Sequence, residues 1–288
     1  MEHKSQITVL VFWVLAFNSA LWAEQQVTFH CEMVPVGRQT NQDVRLNANM
    51  TSRVKSPGQE TLQARQIDYT LQRRTVTVLA AEPTFVTKAR VLFDEALQKQ
   101  GHIEKDQPQW IPQPVDGKSY DVSRAQEELV ITAPDGSIPS EVERKIVEHS
   151  MRSVGRPNPI AIFLHGRTVR IGETIVMSAE LASQLMGSID GIEGTQEMPI
   201  QLVDITDIDG VPCGTFAAQY RRVTHDGART SSTLSGQIAV QTDTCQVVSV
   251  QFKGPITFRQ IRSFGGKQKI FESVGTISIA MKSNPAKR

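Results

Sequence analysis

From residue 24 onward, apolar and polar side chains alternate along most of the chain. Leu46, Ala48, Met50 and Val54 are spaced by even steps, as are Ile67, Tyr69 and Leu71, and then Val76 and Val78. Side chains of a strand point by turns to its two faces, so this period predicts half-buried strands of an antiparallel sheet. Residues 84–100 fit two patterns. Phe85, Ala89, Leu92, Phe93 and Ala96 suit a helix, whereas Phe85, Thr87, Ala89, Val91 and Phe93 suit a strand. The β-branched residues of the first half favour the strand. Residues 101–114 carry three prolines and read as a loop. Asp116-Gly117 then opens a hairpin with Tyr120 and Val122 on one arm and Leu129 and Ile131 on the other, closed by Asp135-Gly136.

Two stretches switch to helical spacing. Over 141–154, Val142, Ile146, Val147, Met151 and Val154 mark one face, Ser140 and Glu143 form a capping box, and Gly155 is the expected stop. A shorter helix is predicted over 179–186, capped by Ser178, with Leu181, Leu185 and Met186 inward and Gly187 ending it. From 198 onward alternation returns, punctuated by Asp209-Gly210, Asp226-Gly227, Asp243-Thr244 and Gly265-Gly266. Gly254-Pro255 should bend or interrupt its strand. The fold class is therefore α+β and β-rich: a curved antiparallel sheet or partial barrel with one or two covering helices. Two short helices are little cover for so many half-apolar strands, which leaves apolar surface over. Two smaller subdomains joined near 156–176 are the other solution.

Composition narrows the class. The chain has 288 residues, is 39% apolar and carries a net charge of +1. That excludes a disordered tail and gives no electrostatic footprint for nucleic acid. One apolar run exists, at the start: Lys4 and then Ile7 to Phe17 read as the first parts of a secretory signal ending near Ala23. Residues 24–282 would then be one exported domain, periplasmic or extracellular, with 283–288 a frayed tail and no stable membrane insertion once the leader is gone. An oxidising compartment gives weight to Cys31, Cys213 and Cys245. Cys31 alternates with Val27, Phe29 and Met33, as a buried residue would. Cys213 and Cys245 each follow a turn and are the expected disulfide. In a flat meander one intervening strand would hold them about 9.5 Å apart, beyond the roughly 7 Å a bridge spans, so this pairing requires a curled sheet or another strand order.

Local signatures of chemistry are weak. Pro159 to Gly166 resembles the strand and His-Gly turn of α/β-hydrolases, but no G-x-S-x-G follows; it reads instead as a strand, a turn at His165-Gly166 and a second strand through Val169 and Ile171. Asp204, Asp207 and Asp209 miss the spacing of a calcium loop. His30, His102, His149, His165 and His225 form no metal motif. Asn49-Met50-Thr51 is a glycosylation sequon by chance inside a strand, and Arg73-Arg74, Arg221-Arg222 and Lys267/Lys269 read as solvated clusters. No cofactor, metal or nucleic acid is expected.

Pro114 to Val122 and Gly166 to Glu173 resemble the "G-K-x-Y-x-V" and "V-x-V-G-E" stretches of uncharacterised exported bacterial proteins. The order strands, helices, strands is similar in architecture to the half-open barrel of periplasmic lipoprotein carriers. The function expected is a non-enzymatic exported binding protein that holds a lipid or other hydrophobic molecule, or an apolar protein segment. Val147, Met151, Leu181, Leu185, Phe252 and Phe258 would line its site. The alternatives are an envelope scaffold without a small ligand and, last, a hydrolase assembled from distant residues.

Overall fold

The computed structural model describes residues 25–55, 61–83, 85–102, 108–186, 194–224, 228–264 and 267–285. The leader, Gly187, His225 and the turns at 226–227 and 265–266 lie outside them. The first half runs β1 (Gln26–Thr28), β2 (Gln39–Lys55), β3 (Leu62–Glu82), β4 (Phe85–His102), β5 (Ile111–Pro112), β6 (Ser119–Ala125) and β7 (Glu128–Thr132). Next come α1 (Glu141–Met151), α2 (Pro159–Leu164), β8 (Thr168–Arg170), β9 (Thr174–Met177) and α3 (Ala179–Met186). The second half is β10 (Met198–Ile208), β11 (Val211–Thr224), β12 (Ala228–Gln241), β13 (Val247–Phe264) and β14 (Lys267–Pro285). Among the described residues no helix is long and apolar enough to cross a membrane.

Twelve strands form one open, curved antiparallel sheet in the order β7-β6-β4-β3-β2-β14-β13-β12-β11-β10-β9, with β5 beside β4. The ambiguous segment is thus strand over its described residues, 85–100. β1 and β8 make a separate two-stranded ribbon. The first long strand and the last lie side by side at the centre, in register from Thr40↔Pro285 to Lys55↔Ile270.

One row of register partners explains where the cores lie. It runs Leu202, Phe216, Ile238, Val250, Met281, Val44, Gln72 and Ala96, one residue per strand from β10 to β4. Partners in register share a face. Leu202, Phe216 and Ile238 belong to one buried cluster, with α2, α3, β1 and β8. Ala96 belongs to another, with Val91, Phe93, Tyr120 and α1. Both cores are therefore on the same face of the sheet, at opposite ends of its width.

α1 holds the β4–β6–β7 end. Its capping box is formed, with the Glu143 amide donating to Ser140 Oγ and the Ser140 amide to Glu143 Oε2 at 2.8 Å. It stops at Met151, short of the expected Val154, and its inward face is Val147 and Met151. Val142 points to solvent at 58% exposure rather than inward. At the other end α2 replaces the expected strand over 159–164. Asn158 accepts from the Ile160 amide at 3.0 Å and Pro159 occupies the first turn, a start signal that outweighs the short apolar run. The following strand, β8, is as expected. α3 spans 179–186 with Ser178 Oγ accepting from the Leu181 amide. Its deepest residues are Ala182 and Ser183, while Leu181, Leu185 and Met186 pack at the cluster's edge.

The disulfide corrects the expected pairing. Cys31 and Cys245 are joined, with Cα atoms 4.7 Å apart, and Cys213 is a buried free thiol. The meander β11-β12-β13 keeps Cys213 one strand away from the start of β13, as the flat-sheet distance required. Cys31 lies past the end of β1, where the His30 and Glu32 amides bond the Thr242 and Asp243 carbonyls. That brings it onto the β12–β13 turn instead of an inner strand face. Two further details differ. Ser283, Asn284 and Pro285 are not frayed but pair with Gln42, Asn41 and Thr40. β13 is continuous through Gly254-Pro255, and only its ladder to β12 skips those two residues.

Candidate ligand-binding face

Between the two covers the sheet's core face continues along the long central strands. On β2 that face carries Val44, Leu46, Ala48, Met50 and Val54; on β14, Met281, Ile279 and Ile277; on β13, Val250, Phe252, Ile256 and Phe258; Ser52 of β2 and Ser273 of β14 interrupt it, hydrogen-bonded to each other at 2.8 Å. Phe252 is buried in the first cluster, and Val250, Ile277 and Ile279 lean on its edge. Val44, Leu46, Met50, Val54, Met281, Ile256 and Phe258 are half-buried and belong to neither core. The opposite face of the same strands is polar. Arg45, Asn47 and Arg53 of β2 and Gln251, Lys253 and Arg259 of β13 are exposed, and Asp43 and Glu272 pair with Arg45, Arg73, Lys55 and Arg259. The band from Val44 to Val54 is roughly 34 Å long at the rise of an extended strand.

Glycines shape this face. A Cβ on Gly236 would run into the Gln251 carbonyl of β13, and one on Gly254 into the Thr233 carbonyl of β12. Backbones that close together on one face mean a sheet curled towards that face. The band is therefore the floor of a trough. Its flank on β3 and β4 is polar, with Thr70, Asp68, Gln98 and Gln100 in register beside Leu46 and Ala48.

At the base of the trough the floor changes character. Arg74, Gln42 and Ser283 stand in one row on β3, β2 and β14, directly beside the row holding Val44 and Met281. Arg74 is 8% exposed, and its Nε donates to Gln42 Oε1 at 2.8 Å. Among the described residues no carboxylate is within ion-pair reach of it. Burial pushes its pKa down to about 10. The neighbouring Gln72 is satisfied, donating to Gln113 Oε1 at 3.0 Å and accepting from Ser150 Oγ at 3.1 Å. On the flank of α1, desolvation and then the charges of Arg152 and Arg74 hold the His149 imidazole below its usual pKa. A shallow concavity beside the row is edged by Arg38, Thr40, Gln241, Val248 and Ser283. Desolvation also depresses the pKa of Arg38, whose Nη2 donates to Gln241 Oε1 at 3.3 Å.

The six residues expected to line one site do not converge. Val147 and Met151 belong to the second core, Phe252 to the first, and Leu181 and Leu185 to the first core's edge. Phe258 alone lies on the trough floor outside both cores. The Arg73-Arg74 reading divides: Arg73 faces the solvated side, pairing with Glu95 and Asp43, and Arg74 is buried. The parity of Val76 and Val78, carried back two steps, places Arg74 and Gln72 on the apolar face and was the available signal.

No protein-family model and no curated protein matches this chain. Among solved structures, the one titled "Lipid-protein interactions in lipovitellin" is similar at 11% identity and a TM-score of 0.41, over 88% of this chain and 26% of that one. The chain thus spans about a quarter of lipovitellin's length. A LolA superfamily protein from Nitrosomonas europaea is similar at 12% identity over 85% of this chain and 87% of its own, with a TM-score of 0.15. The InvG secretin β-barrel of the Salmonella injectisome is similar at 7% identity over 99% of this chain and 69% of its own, with a TM-score of 0.13.

Proposed function

We propose that this is a non-enzymatic exported binding protein that carries a lipid chain on the trough floor. One observation carries the reading: a mostly apolar band on the core face, crossed by the hydrogen-bonded Ser52–Ser273 pair and left between two covers that each seal only their own end. Soluble proteins rarely keep a contiguous apolar patch of this kind without an occupant. A flexible acyl chain suits it, because the floor is long and narrow, made of Leu, Ile, Met and Phe, and bordered by polar residues. The disulfide supports folding in an oxidising compartment.

Native mass spectrometry of the purified mature chain should show retained apolar molecules. Ile277→Glu, on the floor, should abolish their retention and the binding of an uncharged fluorescent probe. Val274→Glu, three residues away on the opposite, solvent-exposed face, should leave both intact. Absence of any retained ligand, together with no saturable probe binding by the parent chain, overturns the reading.

A further inference from the structure

The base of the trough carries a feature that an apolar carrier does not need. A buried guanidinium costs several kcal/mol in desolvation unless an anion or a hydrogen-bond network compensates it. Among the described residues Arg74 has one acceptor, the side-chain oxygen of Gln42, and its two terminal nitrogens bond no further acceptor. The same row adds two more polar groups, the Gln42 amide nitrogen and the half-buried Ser283 hydroxyl. Directly beside this row the floor turns apolar at Val44 and Met281. The order along the strands is thus cation and neutral donors first, hydrocarbon after, which is the order of groups in an anionic amphiphile.

We propose that Arg74, Gln42 and Ser283 bind the oxyanion headgroup, a phosphate ester or carboxylate, of an amphiphile whose chain lies along the β2–β14–β13 floor. Arg is suited to this role because its planar fork donates two parallel hydrogen bonds to one oxyanion. The flank of α1 adds positive potential through Arg152 and through His149 when protonated. This inference rests on the trough reading and specifies its ligand.

The test uses displacement of an uncharged fluorophore, 1-aminoanthracene, from the oxidised mature chain by dodecyl phosphate, dodecanol and inorganic phosphate. Dodecyl phosphate should displace it at roughly ten- to hundredfold lower concentration than dodecanol, the range of a charge-assisted hydrogen bond or two. Arg74→Gln should erase that difference and leave dodecanol unchanged. Should Arg74→Gln fail to fold, Arg74→Lys keeps the charge without the fork and should lose most of the preference. Equal displacement by the two amphiphiles, or a preference that survives in these variants, overturns the headgroup site while the trough stands. Inorganic phosphate competing as well as dodecyl phosphate overturns the amphiphile and leaves a site for free phosphate. Failure of both dye and dodecanol to bind removes the trough reading itself.

Discussion

Arg74 is a residue whose retention needs a reason beyond folding. A buried cation without a carboxylate is replaced by apolar side chains at no loss, and often with a gain, in stability. Arg74→Met in the ligand-free chain should therefore raise the unfolding midpoint, by the equivalent of about 1 kcal/mol or more, read by calorimetry; a marked loss would mean that the guanidinium is structural. Glu143 works in the opposite sense. Hydrogen bonds from Lys118, at 2.6 Å, and from Ser140, opposed by desolvation and reinforced by Tyr120, bring its pKa down to about 2 from the usual 4.5. The folded state then holds fewer protons than the unfolded one between those values. Its contribution is present above about pH 4.5 and is lost as the pH falls towards 2. Glu143→Gln should cost about 1 kcal/mol at neutral pH, the scale of a lost cap, and flatten the acid limb of the stability curve. Cys213 is buried, with its thiol raised to about 11 chiefly by desolvation. The native oxidised chain should leave a thiol reagent unreacted, and the same chain in denaturant should titrate one thiol. Arg74 and Gln72 were legible only from the parity of Val76 and Val78, which Ile67, Tyr69 and Leu71 of the same strand oppose, whereas Cys31 was not legible at all: its place depends on a ribbon whose path across the β12–β13 turn leaves no local periodicity.

At the scale of elements, covers and sheet are secured by different means. The capping box fixes where α1 begins, and that was plain in Ser140 and Glu143. The cover made by β1, α2 and β8 is tied down by Cys31–Cys245 and by the Asn158 side chain, which donates to the Cys245 carbonyl at 2.9 Å. The bridge closes a sequence separation of 214 residues, and chain-entropy reasoning assigns such a loop about 5 kcal/mol. Cys31→Ser with Cys245→Ser should cost roughly 2–5 kcal/mol, and hydrogen exchange should quicken first in α2 and the β1–β8 ribbon. Equal acceleration across α1 would show that the covers do not open separately. Gly254 tests the curl of the sheet. Gly254→Val would press a branched side chain into the Thr233 carbonyl and should cost about 3 kcal/mol or more, with a flatter, more aggregation-prone sheet seen by light scattering. α2 was misread for a physical reason: six residues, four of them buried, are too few for periodicity to separate a helix from a strand, and only Asn158-Pro159 marks its start.

On the scale of the whole molecule, alternation was enough to give the sheet, its antiparallel sense and the shortage of cover. It could not give the order of strands. Apart from β1, which pairs β8, strands near in sequence pair within each half, but the contact that joins the two halves within the large sheet is β2 against β14, between residues more than two hundred positions apart. That contact also puts the apolar faces of both halves side by side, and so creates the trough that no single segment reveals. The apolar surface expected to be left over lies as a floor between two sealed ends. The last strand is thus the seam of the structure. Until its nineteen residues are threaded into place, β2 and β13 each present a long unsatisfied margin of amides and carbonyls, the condition under which chains join one another edge to edge. A nascent chain must stay unfinished until β14 has emerged, and a version cut after Phe264 should self-associate rather than persist as two tidy halves.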